Sequence, residues 1–296
     1  MSPLEVETMQ IKTNVDLSFK TTMHIGGIAD FFYIPESVSE LQELIEMLDG
    51  KSIVYRIISG GSNLLINDKR HFDAVISMEC LDQTLEQIDE KTFYIGASNR
   101  IQKVISFVNS KACGGFEELI GLPALFGGIV YMNAGIGGEE SAQFCIGDFI
   151  NRVRVLDRKN KSVCWLNKNE CQFSHRRSIF QNDQYIIIGA ELTLYEQDER
   201  TSKNRIEKRR EYCKSHQEYA KGCFGSCFAK FSHSILRTFS RLHLSFGSIK
   251  QIPQNPNWLI NCGNAKYRDV LVFILLSKFV HHLFRKKIEL EIRIWR

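Results

Sequence analysis

Nothing in this chain approaches the roughly 20 consecutive apolar residues that a membrane-crossing helix requires. The longest apolar run, Val270 to Leu276, is far shorter and reads as a buried helix, so no membrane insertion is expected. The opening residues, Met1 to Gln10, are acidic and hold neither a basic leader nor an apolar core, which points to a cytoplasmic chain. A large excess of one charge is also missing: 38 Lys and Arg stand against 34 Asp and Glu, a formal charge of +4 with the signs interspersed. That balance gives no reason to expect a nucleic-acid partner. The densest basic stretch, Lys203 to Lys214, is interrupted by Glu207 and Glu211 and reads as a solvated helix face. Cys223 and Cys227 enclose Gly225-Ser226, but no second Cys or His pair has zinc spacing, so no metal is expected. The nine cysteines are an odd number, and Cys145, Cys164 and Cys262 lie in apolar segments, as reduced thiols would.

What is present is an ordinary folded composition, 44% apolar and 24% charged, without low-complexity segments. At 296 residues, two or three packed domains are expected. Residues 1–78 read as a small α/β unit: a strand at Phe31 to Ile34, a helix from Val38 to Leu48 capped by Ser37 or Ser39, and strands at Ile53 to Ile58 and Asp73 to Met78. Residues 79–195 read as α+β: Phe93 to Ala97, a helix from Arg100 to about Lys111, a glycine-dense stretch from Gly114 to Gly138, and strands near Phe149 to Leu156, Ser162 to Leu166 and Tyr185 to Tyr195. Residues 196–296 hold a polar helical stretch to Tyr219, strand-like Gly225 to Phe228, a linker near Pro253 and Pro256, a helix from Tyr267 to Phe284, and a terminal strand, Ile288 to Trp295.

Two glycine clusters carry the chemical signal. Gly60-Gly61-Ser62-Asn63 follows a buried strand directly, and a turn of that kind exposes backbone N–H groups to which a diphosphate can come close. Most Gly-Gly turns are only tight loops, so this one needs company. The second cluster, Gly121 to Gly135, interleaves small and apolar residues, as several backbone segments approaching one flat ligand would require.

In order along the chain, six segments carry a family pattern. Thr22 to Ala29 is similar to Thr-x-x-x-Gly-Gly-x-Ala, Gly60 to Leu65 to Gly-Gly-Ser-Asn-Leu-Leu, and Gly121 to Gly135 to Gly-Ile-Pro-Gly-x-x-Gly-Gly-x-x-x-Met-Asn-Ala-Gly. Phe173 to Phe180 is similar to Phe-x-Tyr-Arg-x-Ser-x-Phe, Gly225 to Phe228 to Gly-Ser-x-Phe, and Glu291 to Arg293 to Glu-Val-Arg. The set resembles the UDP-N-acetylenolpyruvoylglucosamine reductase family, in its shorter subtype without the tyrosine-bearing insertion. The resemblance implies a two-subdomain FAD-binding fold of the vanillyl-alcohol-oxidase/PCMH type followed by a C-terminal α+β substrate domain. It implies non-covalent FAD, NADPH as reductant, and reduction of UDP-N-acetylglucosamine enolpyruvate to UDP-N-acetylmuramate in peptidoglycan precursor synthesis. Gly60, Gly61, Ser62, Asn63 and Leu64, with Gly121, Leu122, Pro123, Gly127, Gly128, Asn133, Ala134 and Gly135, would line the cofactor.

Three residues would serve the chemistry. Hydride addition to the terminal carbon of a carboxylate-activated double bond builds enolate charge, which the guanidinium of Arg176 suits. By resemblance Ser226 gives the proton to the neighbouring carbon and Glu291 stabilises the enol form. The chain departs from the pattern at Ala124, where glycine is usual, and at His175, where tyrosine is usual. After Phe228 the family's Lys-Asn-Pro is replaced by Ala229-Lys230-Phe231-Ser232, so Lys230 stands one position late and a β-bulge would be needed to make it equivalent. Two other readings stay open at this point: another non-covalent FAD oxidoreductase of the same fold, or an FAD-binding protein without turnover. Ser59 to Asn63 contains no histidine for covalent flavin attachment, unlike many oxidases of that architecture.

Overall fold

A computed structural model describes residues 9–137, 143–216 and 221–296; the acidic opening residues 1–8 and Gly138 of the glycine-dense stretch lie outside them. The chain divides into two compact units, one built from the described residues up to Asn14, Asp30–Gly60 and Phe72–Arg210, the other from Val15–Ala29, Gly61–His71 and Glu211–Arg296. The glycine turn at 60–63 is one of five places where the chain passes from one to the other.

The first unit holds two sheets. In the smaller, strands run in the order Gln10–Asp16, Ile28–Ile34, His71–Ser77, Tyr55–Ile58, and the last two are parallel. Helix α1 (Val38–Gly50) packs on it through Leu41, Leu44, Ile45 and Leu48, the spacing of one helical stripe. Its N-terminus is capped by Ser37, whose hydroxyl accepts from Glu40 N at 3.1 Å. The strand Gln10–Asp16 has no counterpart in the sequence reading: its largely exposed, polar residues give it no apolar alternation. The larger sheet is antiparallel, in the order Ser162–Asn167, Ile150–Asp157, Tyr185–Thr193, Thr92–Gly96, Leu85–Gln87. Helix α2 (Ile101–Asn109) and the short α3 (Phe126–Tyr131) share its core, which contains Phe93, Ile105, Phe126 and Val153.

Helix α4 (Glu199–His216) is polar, as expected, but it is more than a solvated face. The carboxylate of Glu117 is 1% exposed, and Arg205 meets it at 2.8 Å while forking onto Glu118 at 2.8 and 2.6 Å. Gln197 also donates to Glu117, and Gly115 N lies 3.2 Å from it. A charge buried to that degree is tolerated because donors surround it. Sequence spacing could not show this, since Glu117 and Arg205 are 88 residues apart.

The second unit is centred on a three-stranded sheet ordered Gly222–Ser226, Asn255–Asn261, Ile249–Ile252, covered by α5 (His233–Arg241) and α6 (Tyr267–Leu283). Phe224, Phe228, Phe239, Phe246 and Phe273 fill its core, with Phe246 and Phe273 edge to face at 5.2 Å. Two expectations need correction here. The region of Pro253 and Pro256 is a hairpin, with Pro256 inside the strand Asn255–Asn261, because Gln251 Nε2 satisfies the Pro256 carbonyl at 2.6 Å. The terminal strand is broken into Glu289–Leu290 and Arg293–Trp295, which pair with different partners. Cys262 is exposed rather than embedded in an apolar segment; all nine cysteines are free thiols.

His281 on α6 is fully buried, between Ser277 O at 2.7 Å and Ser232 N at 2.9 Å. An amide N–H can only donate, so Nε2 accepts from Ser232 and the ring proton sits on Nδ1. Burial lowers the His281 pKa below the ordinary 6.5.

Two measurements check these features. Arg205→Ala should cost about 3 kcal/mol in urea unfolding, the usual consequence of leaving a buried charge unpaired, and pairing it with Glu117→Gln should recover part of the loss. For His281 the unfolded state binds the proton first as pH drops below about 6.5. Unfolding free energy should therefore be constant with respect to this group above that pH and decline below it until the depressed folded pKa is reached. The decline should be shallower in His281→Gln, compared by melts between pH of about 8 and 5.

Candidate active site

The strand Tyr55–Ile58 delivers the chain into Ser59-Gly60, and there it lies against the second glycine cluster. A Cβ on Gly60 would stand 3.2 Å from Leu125 N and 3.3 Å from the Ala124 Cα, and one on Gly128 would stand 3.3 Å from Ser59 Oγ. The two clusters that the sequence placed side by side by resemblance thus touch within the first unit. Ser59 Oγ is buried with no hydrogen-bond partner among the described residues. A hydroxyl in that state calls for an acceptor or donor from a bound group.

The amides of Gly60, Gly61, Ser62 and Asn63 donate to no acceptor among the described residues. Consecutive N–H groups with no internal acceptor form the concave donor set that anions occupy. Gly61 has φ +62°, and a Cβ there would fall 1.9 Å from Lys20 O, so both conformation and packing require glycine. In the second cluster most amides are engaged: Phe126 N with Asn99 O, Gly127 N with Ala97 O and Gly128 N with Leu125 O. A Cβ on Gly127 would meet Ala97 Cβ at 2.9 Å and one on Gly135 would meet Phe144 O at 2.1 Å. Those two glycines therefore serve the protein's own packing whatever they face. Gln102 on α2 fixes the Gly121-Leu122-Pro123 segment by donating to Ile120 O and Leu122 O at 2.9 and 2.7 Å. Ala124, in place of glycine, is not at positive φ, so its methyl adds no backbone strain. Within the first unit, the unpartnered Ser59 hydroxyl and the glycines close to it, Gly60 and Gly128, fit the near approach of an extended diphosphate cofactor.

Asn133 is 3% exposed and its side chain is fully engaged, Nδ2 donating to Ser174 O at 2.8 Å and Oδ1 accepting from Gly147 N at 2.9 Å. It thereby holds the loop that carries Arg176. Ser174 and Arg177 exchange backbone hydrogen bonds at 3.1 and 3.0 Å, which folds His175 and Arg176 into a tight turn with Arg176 at φ +57°. A left-handed arginine costs on the order of 1 kcal/mol and persists only where neighbours impose it. Gln181 does so by donating to Arg176 O at 3.0 Å and Tyr131 O at 3.2 Å, while Ser178 Oγ donates to Tyr131 O at 2.7 Å. Arg176 Nη2 donates to Gly135 O at 2.9 Å, the end of the second glycine cluster.

In the second unit, Glu291 bonds the backbone of Cys227, the residue after Ser226, and Asn63 bonds Glu291 in turn. Glu291 falls in the break of the terminal strand and its N donates to Cys227 O at 2.9 Å. Asn63 Nδ2 donates to Glu291 O at 3.1 Å, and Arg293 N donates to Asn63 O at 2.9 Å. Burial, and then the nearby charge of Glu291, push the Cys227 thiol well above its ordinary range. Cys227 is therefore an inert neighbour of the site.

Ser226 is aimed by a bulge: Cys223 pairs with Ile260 and Ser226 with Trp258, so one extra residue is accommodated at Gly225, φ +77°. Trp258 Nε1 donates to Ser226 Oγ at 3.1 Å. An indole N–H is a donor only, so the serine must accept and its own proton stays available to another group.

A second bulge follows. Phe228 pairs with Leu290 and Lys230 with Glu289, two steps on one strand against one on the other. The bulge required to bring Lys230 into the position directly after Phe228 is thus present. Asn257 stabilises this stretch, its side chain accepting from Phe228 N at 2.9 Å and donating to Phe228 O at 2.8 Å. Asn257 and Trp258 were missed in the sequence because Pro253 and Pro256 made their segment read as a linker.

Comparison with known proteins places this geometry. Residues 29–166 match the family model described as an FAD binding domain. A UDP-N-acetylenolpyruvoylglucosamine reductase from Fervidobacterium nodosum is 30% identical over 298 residues, covering 96% of this chain and 91% of the relative. The enzyme of the same name from Halalkalibacterium halodurans is 27% identical over 271 residues, 90% of this chain and 87% of the relative. The crystal structure of UDP-N-acetylenolpyruvylglucosamine reductase from Thermus caldophilus shares the fold with a TM-score of 0.76 at 24% identity, over 98% of this chain and all of that one. A 6-hydroxy-D-nicotine oxidase from Arthrobacter nicotinovorans overlaps 66% of this chain and 44% of its own, with a TM-score of 0.50 and 15% identity. The matched FAD-binding model and the shared fold define an α+β protein with an FAD-binding fold of the vanillyl-alcohol-oxidase/PCMH type. With its full-length relatives, the chain belongs to the UDP-N-acetylenolpyruvoylglucosamine reductase family.

Gly128 separates a cofactor wall from a packing wall. Its Cβ would meet only the Ser59 side chain, and alanine is favoured over glycine inside a helix by about 1 kcal/mol. Gly128→Ala should leave apoprotein stability equal or slightly raised while weakening FAD affinity about tenfold or more, measured by flavin fluorescence quenching. Undiminished FAD binding would remove Gly128 from the flavin site.

Proposed function

We propose that this chain is an FAD-dependent, NADPH-consuming reductase that converts UDP-N-acetylglucosamine enolpyruvate to UDP-N-acetylmuramate, a step of peptidoglycan precursor synthesis carried out in the cytoplasm. The observation that supports the site assignment is the run of hydrogen bonds from Asn63 to the Glu291 carbonyl and from Glu291 N to Cys227 O, the residue directly after Ser226. The family reaction needs a proton donor beside a carboxyl group there. Among the described residues no helix is long and apolar enough to cross a membrane, in keeping with an enzyme acting on a water-soluble nucleotide sugar.

FAD, when bound and reduced by NADPH, would supply the hydride for the terminal carbon of the enolpyruvyl double bond. Its pyrophosphate would be held by the amides of Gly60 to Asn63 and by the Ser59 hydroxyl, with Leu64 and the Gly121–Gly135 stretch beside it. Arg176 would grip the substrate carboxylate and stabilise the enolate charge that follows hydride arrival. Its strained turn favours that role, because a side chain fixed in advance loses little freedom when charge develops.

Ser226 would then protonate the neighbouring carbon. With Trp258 occupying a lone pair, the hydroxyl is restricted in rotation and its acidity is raised by a donor hydrogen bond. Glu291 would stabilise the enol by hydrogen bonding. Lys230, moved by its bulge into the slot after Phe228, would supply the cation that the family pattern carries there. We keep 1–78 and 79–195 as the two cofactor subdomains and 196–296 as the substrate domain. Three apolar clusters, centred on Leu44 and Ile76, on Phe93 and Ile105, and on Phe228 and Phe273, support three bodies, with Met23, Ile25 and Leu65 packed in the third and Leu156, Ile186 and Ile188 in the first.

Two half-reactions test the proposal. Under anaerobic conditions NADPH should bleach the bound flavin, and UDP-N-acetylglucosamine enolpyruvate should restore its absorbance. Flavin that stays reduced after substrate addition rules out the reductase assignment. Ser226→Ala should leave reduction by NADPH within about twofold while slowing the enolpyruvate step by roughly 100-fold or more. Loss of both halves together would give Ser226 a folding role instead. The flavin should also be released by acid precipitation, since no histidine stands in Ser59 to Asn63.

A further inference from the structure

Helix α6 is apolar on two opposite faces. Val270, Phe273, Ile274, Ser277 and His281 form its buried side. Around the other side, Val272, Leu275, Phe279 and Leu283 stand exposed at 53, 62, 65 and 64%. Their spacing of three, four and four residues aligns them in one stripe. Phe284, 62% exposed, extends the stripe past the helix end. Together these side chains present roughly 500 Å² of apolar surface, as large as the largest patch on a typical monomer. A helix meeting only water on that side would carry polar residues there.

The stretch of sequence that holds the stripe is one-sided in charge, although Lys266 within it meets Asp68 from outside at 4.0 Å. From Ser232 to Lys287 there are nine Lys and Arg residues against a single acid, Asp269, a local balance of 9 − 1 = +8 in a chain whose total is +4. The rest of the chain is therefore 4 − 8 = −4, which is why the overall figure conceals the asymmetry. Asp269 is itself engaged at the start of α6, accepting from Lys266 N at 2.9 Å. Arg285, Lys286 and Lys287 are all exposed directly beyond the stripe, and Lys278 is exposed on its flank.

A second copy of the chain fits this surface poorly. Paired stripes would set cations against cations, and the area falls short of the roughly 800 Å² per partner of a stable interface. An anionic phospholipid surface satisfies both features: apolar side chains sink to the boundary of headgroups and acyl chains, and the cations meet the phosphates. We propose that α6 lies in the plane of an anionic phospholipid surface, with Leu275, Phe279 and Leu283 in the acyl boundary and Arg285 to Lys287 on the headgroups, as a reversible peripheral contact. At 17 residues the helix does not span, and none of its exposed residues belongs to the site described above.

The test uses the FAD-loaded full chain and sedimentation with vesicles of phosphatidylglycerol and phosphatidylcholine in about equal parts, against vesicles of phosphatidylcholine alone. Partitioning onto the anionic vesicles should be about tenfold stronger or more, and should fall as salt is raised. Changing Leu275→Gln, Phe279→Gln and Leu283→Gln together should reduce it about tenfold or more. Changing Arg285→Gln, Lys286→Gln and Lys287→Gln together should reduce it by roughly 100-fold, about fivefold for each cation. Turnover in solution should be unaffected in both variants. Equal partitioning onto the two vesicle types, or unchanged partitioning of the first variant, overturns the proposal. So does a concentration-dependent dimer that the first variant abolishes, which would assign the stripe to a second copy, and so does DNA retention insensitive to that variant, which would assign the cations to nucleic acid.

Discussion

Three residues near the end of the chain, Arg293–Trp295, run parallel to Leu64–Ile66, next to the glycine turn. This pairing, closed by Arg293 N on Asn63 O and Asn67 N on Trp295 O, both at 2.9 Å, holds the C-terminal part of the chain to a segment some 230 residues earlier. The placement of Glu291 depends on it. Glu291 sits in the gap where the chain leaves one pairing partner and takes another, so its backbone is claimed by both Cys227 and Asn63. Each hydrogen bond is worth only about 1 kcal/mol net. What makes the arrangement firm is Leu65 and Ile292, buried in the same phenylalanine-rich core.

A similar economy governs the reactive groups. A serine hydroxyl is a poor acid, so its setting has to supply the reactivity. It supplies orientation: a bulge at Gly225 turns Ser226, and an indole that can only donate fixes which way the hydroxyl proton must go. Arg176 is positioned in the same way, by backbone strain held with two side-chain amides, Asn133 and Gln181. Asn133 was expected from the sequence to line the cofactor, and its hold on the Arg176 loop was not legible there; Gln181 was not singled out at all, because an amide that binds backbone carbonyls has no fixed spacing from its partner.

The distribution of charge separates two tasks. The acid-rich remainder of the chain balances a basic C-terminal third, and within that third Lys278 and Arg285 to Lys287 stand exposed next to an apolar helix face. A buried acid elsewhere, Glu117, is matched by an arginine from α4, so part of the basic run at 203–214 is structural. Charges that look alike in sequence therefore do different work according to what is buried beside them.

Read alone, the residues placed helices at 38–48, 100 to about 111 and 267–284, within two residues of the observed 38–50, 101–109 and 267–283, together with the main strands and the glycine turn, because apolar periodicity and glycine placement are local properties. Six ordered motifs gave the family. Tertiary structure decided the features that need two distant segments: Ser59 against Gly128, Asn133 holding the Arg176 loop, and the break at Glu291. It also decided the bulge at Lys230, because register is a relation between two strands, and the sequence of one strand does not contain it.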